Sequence, residues 1–137
     1  MKVFKFGGAS VKDAAGVKNL SSIVHQQHGQ LIVVVSAMGK TTNLLETLCN
    51  AYFHQDPKAT AIMKELKDFH LNIVNSLFPL NDPVYKHLEE LFTNLENILA
   101  SESSLCYDYE YDRIICFGEL ISTTIPSDYL KMEGIEN

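Results

Sequence analysis

The sequence predicts an α/β fold in which a mainly parallel sheet is covered by helices, and three observations predict it. Residues Lys2 to Phe6 alternate and are β-prone, whereas Gln30 to Val35 form a nearly unbroken branched apolar run. That second pattern is the signature of a strand buried on both faces, as in parallel sheets flanked by helices. Between the two, apolar residues recur at helical spacing. Strand, Gly7-Gly8 turn, helix and strand then form a βαβ unit, whose crossover is right-handed.

Each element has a local reason. Ser10 with Asp13 reads as a capping box, and Ala14, Val17, Leu20, Ile23 and Val24 follow on one helical face until Gly29 stops the run. From Thr41 a second helix carries Leu44, Leu45, Leu48 and Ala51 to about His54. Asp56-Pro57 supplies an N-cap and a proline suited to a first helical position, with Ile62, Leu66, Phe69, Ile73 and Leu77 behind it. Asp82-Pro83 repeats the signal ahead of Val84, Leu88, Leu91, Leu95 and Ile98. The short Pro79-Leu80-Asn81 link predicts that these two helices form an antiparallel hairpin. A last helix is expected from about Asp108 to Leu130, burying Ile114, Ile115, Leu120 and Ile121. Pro126 falls inside it, where a proline costs about 3 kcal/mol unless the helix kinks or ends. Two strands are few for a parallel sheet, so the fold is expected to be helix-rich and incomplete.

Composition narrows the function. With 137 residues, 46% hydrophobic and 20% charged, the chain suits one globular domain. A formal net charge of −6 argues against nucleic acid, whose binding needs clustered Lys and Arg. No apolar run approaches the ~20 residues that span a bilayer, and the opening residues do not resemble a signal peptide. Cys49, Cys106 and Cys116 show no Cys-x-x-Cys spacing, which predicts neither disulfides nor zinc and suggests the reducing cytoplasm. His25 and His28 share a helix face without a nearby carboxylate or thiol, so no metal site is expected.

Three segments carry more than packing. Lys5-Phe6-Gly7-Gly8-Ala9-Ser10 sets a lysine at the carboxyl end of the first strand, glycines in the turn and a helix start behind them. Ligands of open α/β sheets bind at that edge, where glycines let backbone N–H groups approach phosphate oxygens. A tight turn beside a solvated lysine would read the same way. Ser36 to Asn43 repeats the arrangement after the second strand, and although it contains Gly39-Lys40-Thr41 it lacks Walker A spacing. An N-cap and a turn would account for part of it. Phe117-Gly118-Glu119-Leu120-Ile121-Ser122-Thr123 places glycine and a carboxylate inside an apolar helix. Glu119 then either pairs with a cation such as Arg113 or meets a ligand.

In this order and spacing, Lys5 to Ser10, Val33 to Leu45 and Phe117 to Ser122 resemble the aspartate kinases of the amino-acid kinase superfamily. Ala9 departs from the family's usual threonine, and Pro126 lies where the family helix normally continues. The resemblance implies a three-layer sandwich with a mainly parallel sheet, of which residues 1–137 are the N-terminal part. It implies transfer of the γ-phosphate of ATP, with Mg²⁺, to the β-carboxylate of L-aspartate. It also implies that Lys5, Phe6, Gly7, Gly8, Ser36 and Gly39 hold the nucleotide phosphates, with Lys5 catalytic, and that Thr42 and Glu119 contact aspartate. In full-length members a second half of the kinase domain holds adenine, regulatory ACT domains follow, and the enzyme is homo-oligomeric. The 137 residues alone are therefore expected to be inactive. The rival readings are another amino-acid kinase and a non-catalytic binding or assembly module.

Overall fold

The computed structural model describes residues 1–137. Two strands, β1 (Lys2–Phe6) and β2 (Leu31–Val35), pair in parallel with Lys2 opposite Leu31 and Phe6 opposite Val35. Helix α1 (Ala14–His25) connects them, and α2 (Thr41–Phe53), α3 (Ala59–Leu77), α4 (Val84–Ala100) and α5 (Tyr107–Met132) follow. The βαβ unit and the four later helices are those that periodicity predicts.

The first helix starts differently. Gly8–Val11 forms a short 3-10 turn, and Asp13 alone caps α1, its carboxylate accepting the Gly16 N–H at 2.8 Å. Ser10 belongs to that turn, which folds back so tightly that a Cβ on Gly16 would lie 2.4 Å from the Ser10 carbonyl oxygen. The capping box is therefore replaced by a single Asp cap. Asp56 and Asp82 accept the N–H groups of Lys58 and Val84 at 2.9 Å, but they do so from the turns ahead of the helices: α3 begins only at Ala59 and α4 at Val84, so Pro57 and Pro83 precede the first helical residue instead of occupying it.

Helices cover one face of the sheet. Phe4, Phe6, Leu31, Val33 and Val35 pack against the core, whereas Val3, Ile32 and Val34 are 59%, 46% and 43% exposed. The expectation that β2 is buried on both faces is thus corrected: its apolar run faces helices on one side and solvent on the other. Leu120 is likewise 47% exposed rather than buried. It lies off the stripe of Ile114, Phe117, Ile121 and Ile125 that α5 turns inward.

The hairpin of α3 and α4 is antiparallel. Asn75, late in α3, accepts a 2.9 Å hydrogen bond from Tyr85 at the start of α4, and Lys67 pairs with Glu96 further along. Helix α5 runs through Pro126, which is buried. No helix is long and apolar enough to cross a membrane.

Two buried titratable groups tie the helices together. His70 sits between α3 and α2: its Nδ1 donates to the Leu66 carbonyl at 2.8 Å, leaving Nε2 to accept the Thr41 hydroxyl at 3.2 Å. Burial lowers its pKa from 6.5 to about 4, outweighing the Leu66 carbonyl, which favours the proton. Glu110 is fully buried. Burial raises its pKa, but hydrogen bonds from Ser104 and the Arg113 guanidinium reverse that and hold it below the ordinary value.

These shifts fix how stability depends on pH. The unfolded imidazole takes a proton near pH 6.5, whereas the folded one resists until about 4. Acid therefore favours the unfolded chain across that window, by up to about 3 kcal/mol. Glu110 works in the same direction lower down, because a depressed carboxylate pKa gives stability that is lost as pH falls through it. Urea titrations between pH 7 and pH 4 are expected to show this decline. His70→Gln, which keeps a donor and an acceptor, should flatten it.

Candidate active site

The three sequence motifs meet at the carboxyl ends of β1 and β2. The Ser36 N–H donates to the Phe6 carbonyl at 3.0 Å, extending the strand pairing by one residue. Beyond that point the Gly39 N–H donates to the Gly8 carbonyl at 3.0 Å, so the two glycine loops are joined directly. The approach is close enough that a Cβ on Gly8 would lie 2.3 Å from the Ala37 carbonyl oxygen. Gly39 itself has φ +54°, a left-handed backbone that favours glycine.

The third motif arrives on α5. A Cβ on Gly118 would stand 3.0 Å from the Ala37 Cβ and 3.2 Å from Leu45 Cδ1, which is why an apolar helix carries glycine there. One turn on, the buried Ser122 donates its hydroxyl to the Ser36 carbonyl at 2.5 Å. Phe6 to Gly8, Ser36 to Gly39 and the Gly118 turn thus form one assembly.

Individual site residues divide into two groups. Gly7, Gly8, Ser36 and Gly39 lie in the joined loops, and Phe6 is buried beneath them. Thr42 is half-buried in the first turn of α2. Lys5 and Glu119 are exposed and form no ion pair. Lys5 opposes Val34 and stands two residues from the exposed Val3, which sets both on the open face of the sheet. Arg113 pairs with Glu110 at 3.0 Å, so it is not the partner of Glu119.

Only one of the two predicted helix N-termini is free. The Asp13 carboxylate already occupies the start of α1, six residues beyond Gly8, so the positive end of that helix is met by the chain's own anion. Helix α2 is different, because its N-cap residue Lys40 gives no side-chain cap and adds a positive charge. The anion-friendly features are therefore the joined glycine loops, the uncapped start of α2, and Lys5 at the strand end.

The contact between Thr41, at the expected start of α2, and His70 has no signal in the sequence, and it locks α2 to α3 behind the second loop. His70 stands four residues after Leu66 on the buried stripe of α3, a position that signals burial. The three cysteines are free, with Cys49 buried.

Residues 1–136 match the model of the Amino acid kinase family. The chain belongs to that family. Within it, the chain is 49% identical over 134 residues to the aspartokinase of Rickettsia prowazekii, covering 96% of this chain and 28% of that protein. It is 31% identical to Aspartokinase 2, chloroplastic, of Arabidopsis thaliana, again over 96% of this chain but 25% of the relative. The kinase fold is shared with E. coli aspartokinase III solved with lysine and aspartate, at TM-score 0.86 and 23% identity, over 99% of this chain and 30% of that one. The same enzyme solved with aspartate and ADP gives TM-score 0.84 at 24% identity, over 98% and 29%. The chain thus spans about a quarter to a third of the length of these relatives.

Proposed function

We propose that the protein to which these residues belong is an aspartate kinase, transferring the γ-phosphate of ATP to the β-carboxylate of L-aspartate to give 4-phospho-L-aspartate. That product opens lysine, threonine and methionine biosynthesis. Residues 1–137 form the N-terminal part of its kinase domain. The whole protein acts in the cytoplasm as a homo-oligomer. One observation carries the reading: the hydrogen bond between Gly39 N–H and Gly8 C=O makes a single cradle of two loops at the sheet edge where α/β folds bind anions.

Phosphoryl transfer asks a protein mainly to align two anionic reactants and to neutralise developing charge. In this reading the Gly7 and Gly8 backbone holds the phosphates without an intervening side chain, while Ser36 and Gly39, whose N–H groups are committed to the Phe6 and Gly8 carbonyls, line the floor of the cradle. Lys5 places a full positive charge on the transferring group. Thr42 and Glu119 hold aspartate, with the Glu119 carboxylate facing its ammonium. A free, exposed carboxylate suits that task better than one already committed to an arginine. Mg²⁺ accompanies the nucleotide, whose phosphates and waters supply most of its oxygen ligands, so the loops need provide no cage of carboxylates. No covalent intermediate on the protein is needed.

The test is ADP release by the whole protein with a panel of acceptors. Turnover is expected with L-aspartate and not with L-glutamate, N-acetylglutamate, carbamate or UMP. Preference for one of those instead would replace aspartate kinase by a sister activity. The panel extends to Glu119→Gln, which should raise the KM for aspartate by about tenfold to a hundredfold with a smaller change in kcat. An unchanged KM would remove Glu119 from the acceptor site.

A further inference from the structure

A cavity of about 370 Å³ opens beside Gly39, walled by three stretches of chain. Lys12 comes from the segment after the 3-10 turn, Lys40 and Leu44 from the start of α2, and Glu65 and Phe69 from α3. Gly39 keeps the space open, since a Cβ there would stand 3.3 Å from Phe69 Cζ and 3.6 Å from Lys12 Cβ. Leu44 and Thr42 are two residues apart on α2 and so face different sides of it. The cavity is therefore lined by Thr41 and Leu44 of α2 and not by Thr42.

Its charges are the informative feature. Lys12, Lys40 and Glu65 are exposed at the rim and none forms an ion pair, although Lys64 and Lys67 nearby on α3 both do. Charges of both signs around one cavity, uncommitted to one another, remain available to a ligand of complementary charge. Leu44 and Phe69 supply apolar wall, and the volume falls within the range of small-molecule sites.

We propose that this cavity binds a small amino acid carrying a second carboxylate, with Lys12 and Lys40 facing its carboxylates and Glu65 facing its ammonium. Two cationic groups against one anionic group match a ligand of net charge −1. The site borders the proposed phosphate cradle at Gly39 and Lys40 but uses none of Lys5, Thr42 and Glu119. A bound ligand would bridge the segment after the 3-10 turn to α3 across the Gly39 loop.

Isothermal titration calorimetry of the protein with L-glutamate at low ionic strength tests this. One saturable event is expected, weakened about tenfold or more by Lys12→Ala and by Glu65→Gln, and unchanged in Glu119→Gln. Lys12→Arg should restore binding. Glutarate, which lacks the ammonium, should bind about tenfold more weakly than L-glutamate to the unaltered protein and equally well to Glu65→Gln. Absence of saturable heat, indifference to Lys12→Ala and Glu65→Gln, loss of binding in Glu119→Gln, or glutarate binding as tightly as glutamate would each overturn the proposal.

Discussion

Replacing Lys5 by alanine is expected to lower the kcat of the whole enzyme by about a thousandfold, the scale on which a group stabilising transition-state charge acts. The same change should leave stability within roughly 0.5 kcal/mol, because the side chain is exposed and makes no ion pair. The separation of the two effects is the point. A lysine that merely solubilised the sheet face would lose neither quantity. One that held the strands together would lose stability first. Lys5→Arg keeps the charge but spreads it over a planar fork, so a partial recovery of kcat is expected. Steady-state kinetics alongside urea unfolding decides the matter, and a near-normal kcat in Lys5→Ala would remove the residue from the mechanism.

Gly8→Ala is expected to destabilise the fold by roughly 3 kcal/mol, because the new methyl would sit 2.3 Å from a backbone oxygen that has no rotamer to escape into. Relief requires the Gly8 and Ala37 loops to part, which breaks the Gly39 N–H bond to the Gly8 carbonyl and opens the cradle. Activity should fall with it. Gly118→Ala makes a useful contrast. Its Cβ would meet the Ala37 Cβ at 3.0 Å and Leu45 Cδ1 at 3.2 Å; the leucine can turn away, and the alanine needs a backbone shift of only a few tenths of an ångström against the much larger one at Gly8. Alanine also gains up to about 1 kcal/mol over glycine within a helix, so the net loss should be smaller. Urea midpoints for the two variants measure the difference, and equal losses would show that the loop contact is not the tighter one.

Much of this architecture was legible in the residues. The alternating, β-prone residues Lys2 to Phe6 and the branched run Gln30 to Val35, with helical spacing between them, specify two parallel neighbours, and the periodic apolar residues behind them specify the four later helices. Periodicity reports an element's own apolar face. It cannot report whether a partner covers that face, and so Ile32, Val34 and Leu120 were expected inside and stand exposed. Local signals also compete: Ser10 and Asp13 both look like caps, and the close return of the turn onto Gly16 gives the role to Asp13. At the site, the glycines declared a close backbone approach without naming its partner. That Gly8 meets Ala37, and that Gly118 meets Ala37 and Leu45, are long-range facts that no spacing encodes. His70 was hidden for the same reason, since its partner Thr41 lies 29 residues away.

The central claim is that the two glycine loops form one phosphate cradle, and hydrogen exchange of the whole protein with and without a non-hydrolysable ATP analogue and Mg²⁺ tests it most directly. Backbone amides of residues 6–10 and 36–40 should gain protection together, because the Gly39 to Gly8 hydrogen bond makes their opening a single event. Lys5→Ala should weaken that protection at both loops alike. Protection of neither loop, or of one without the other at saturating nucleotide, would contradict the account.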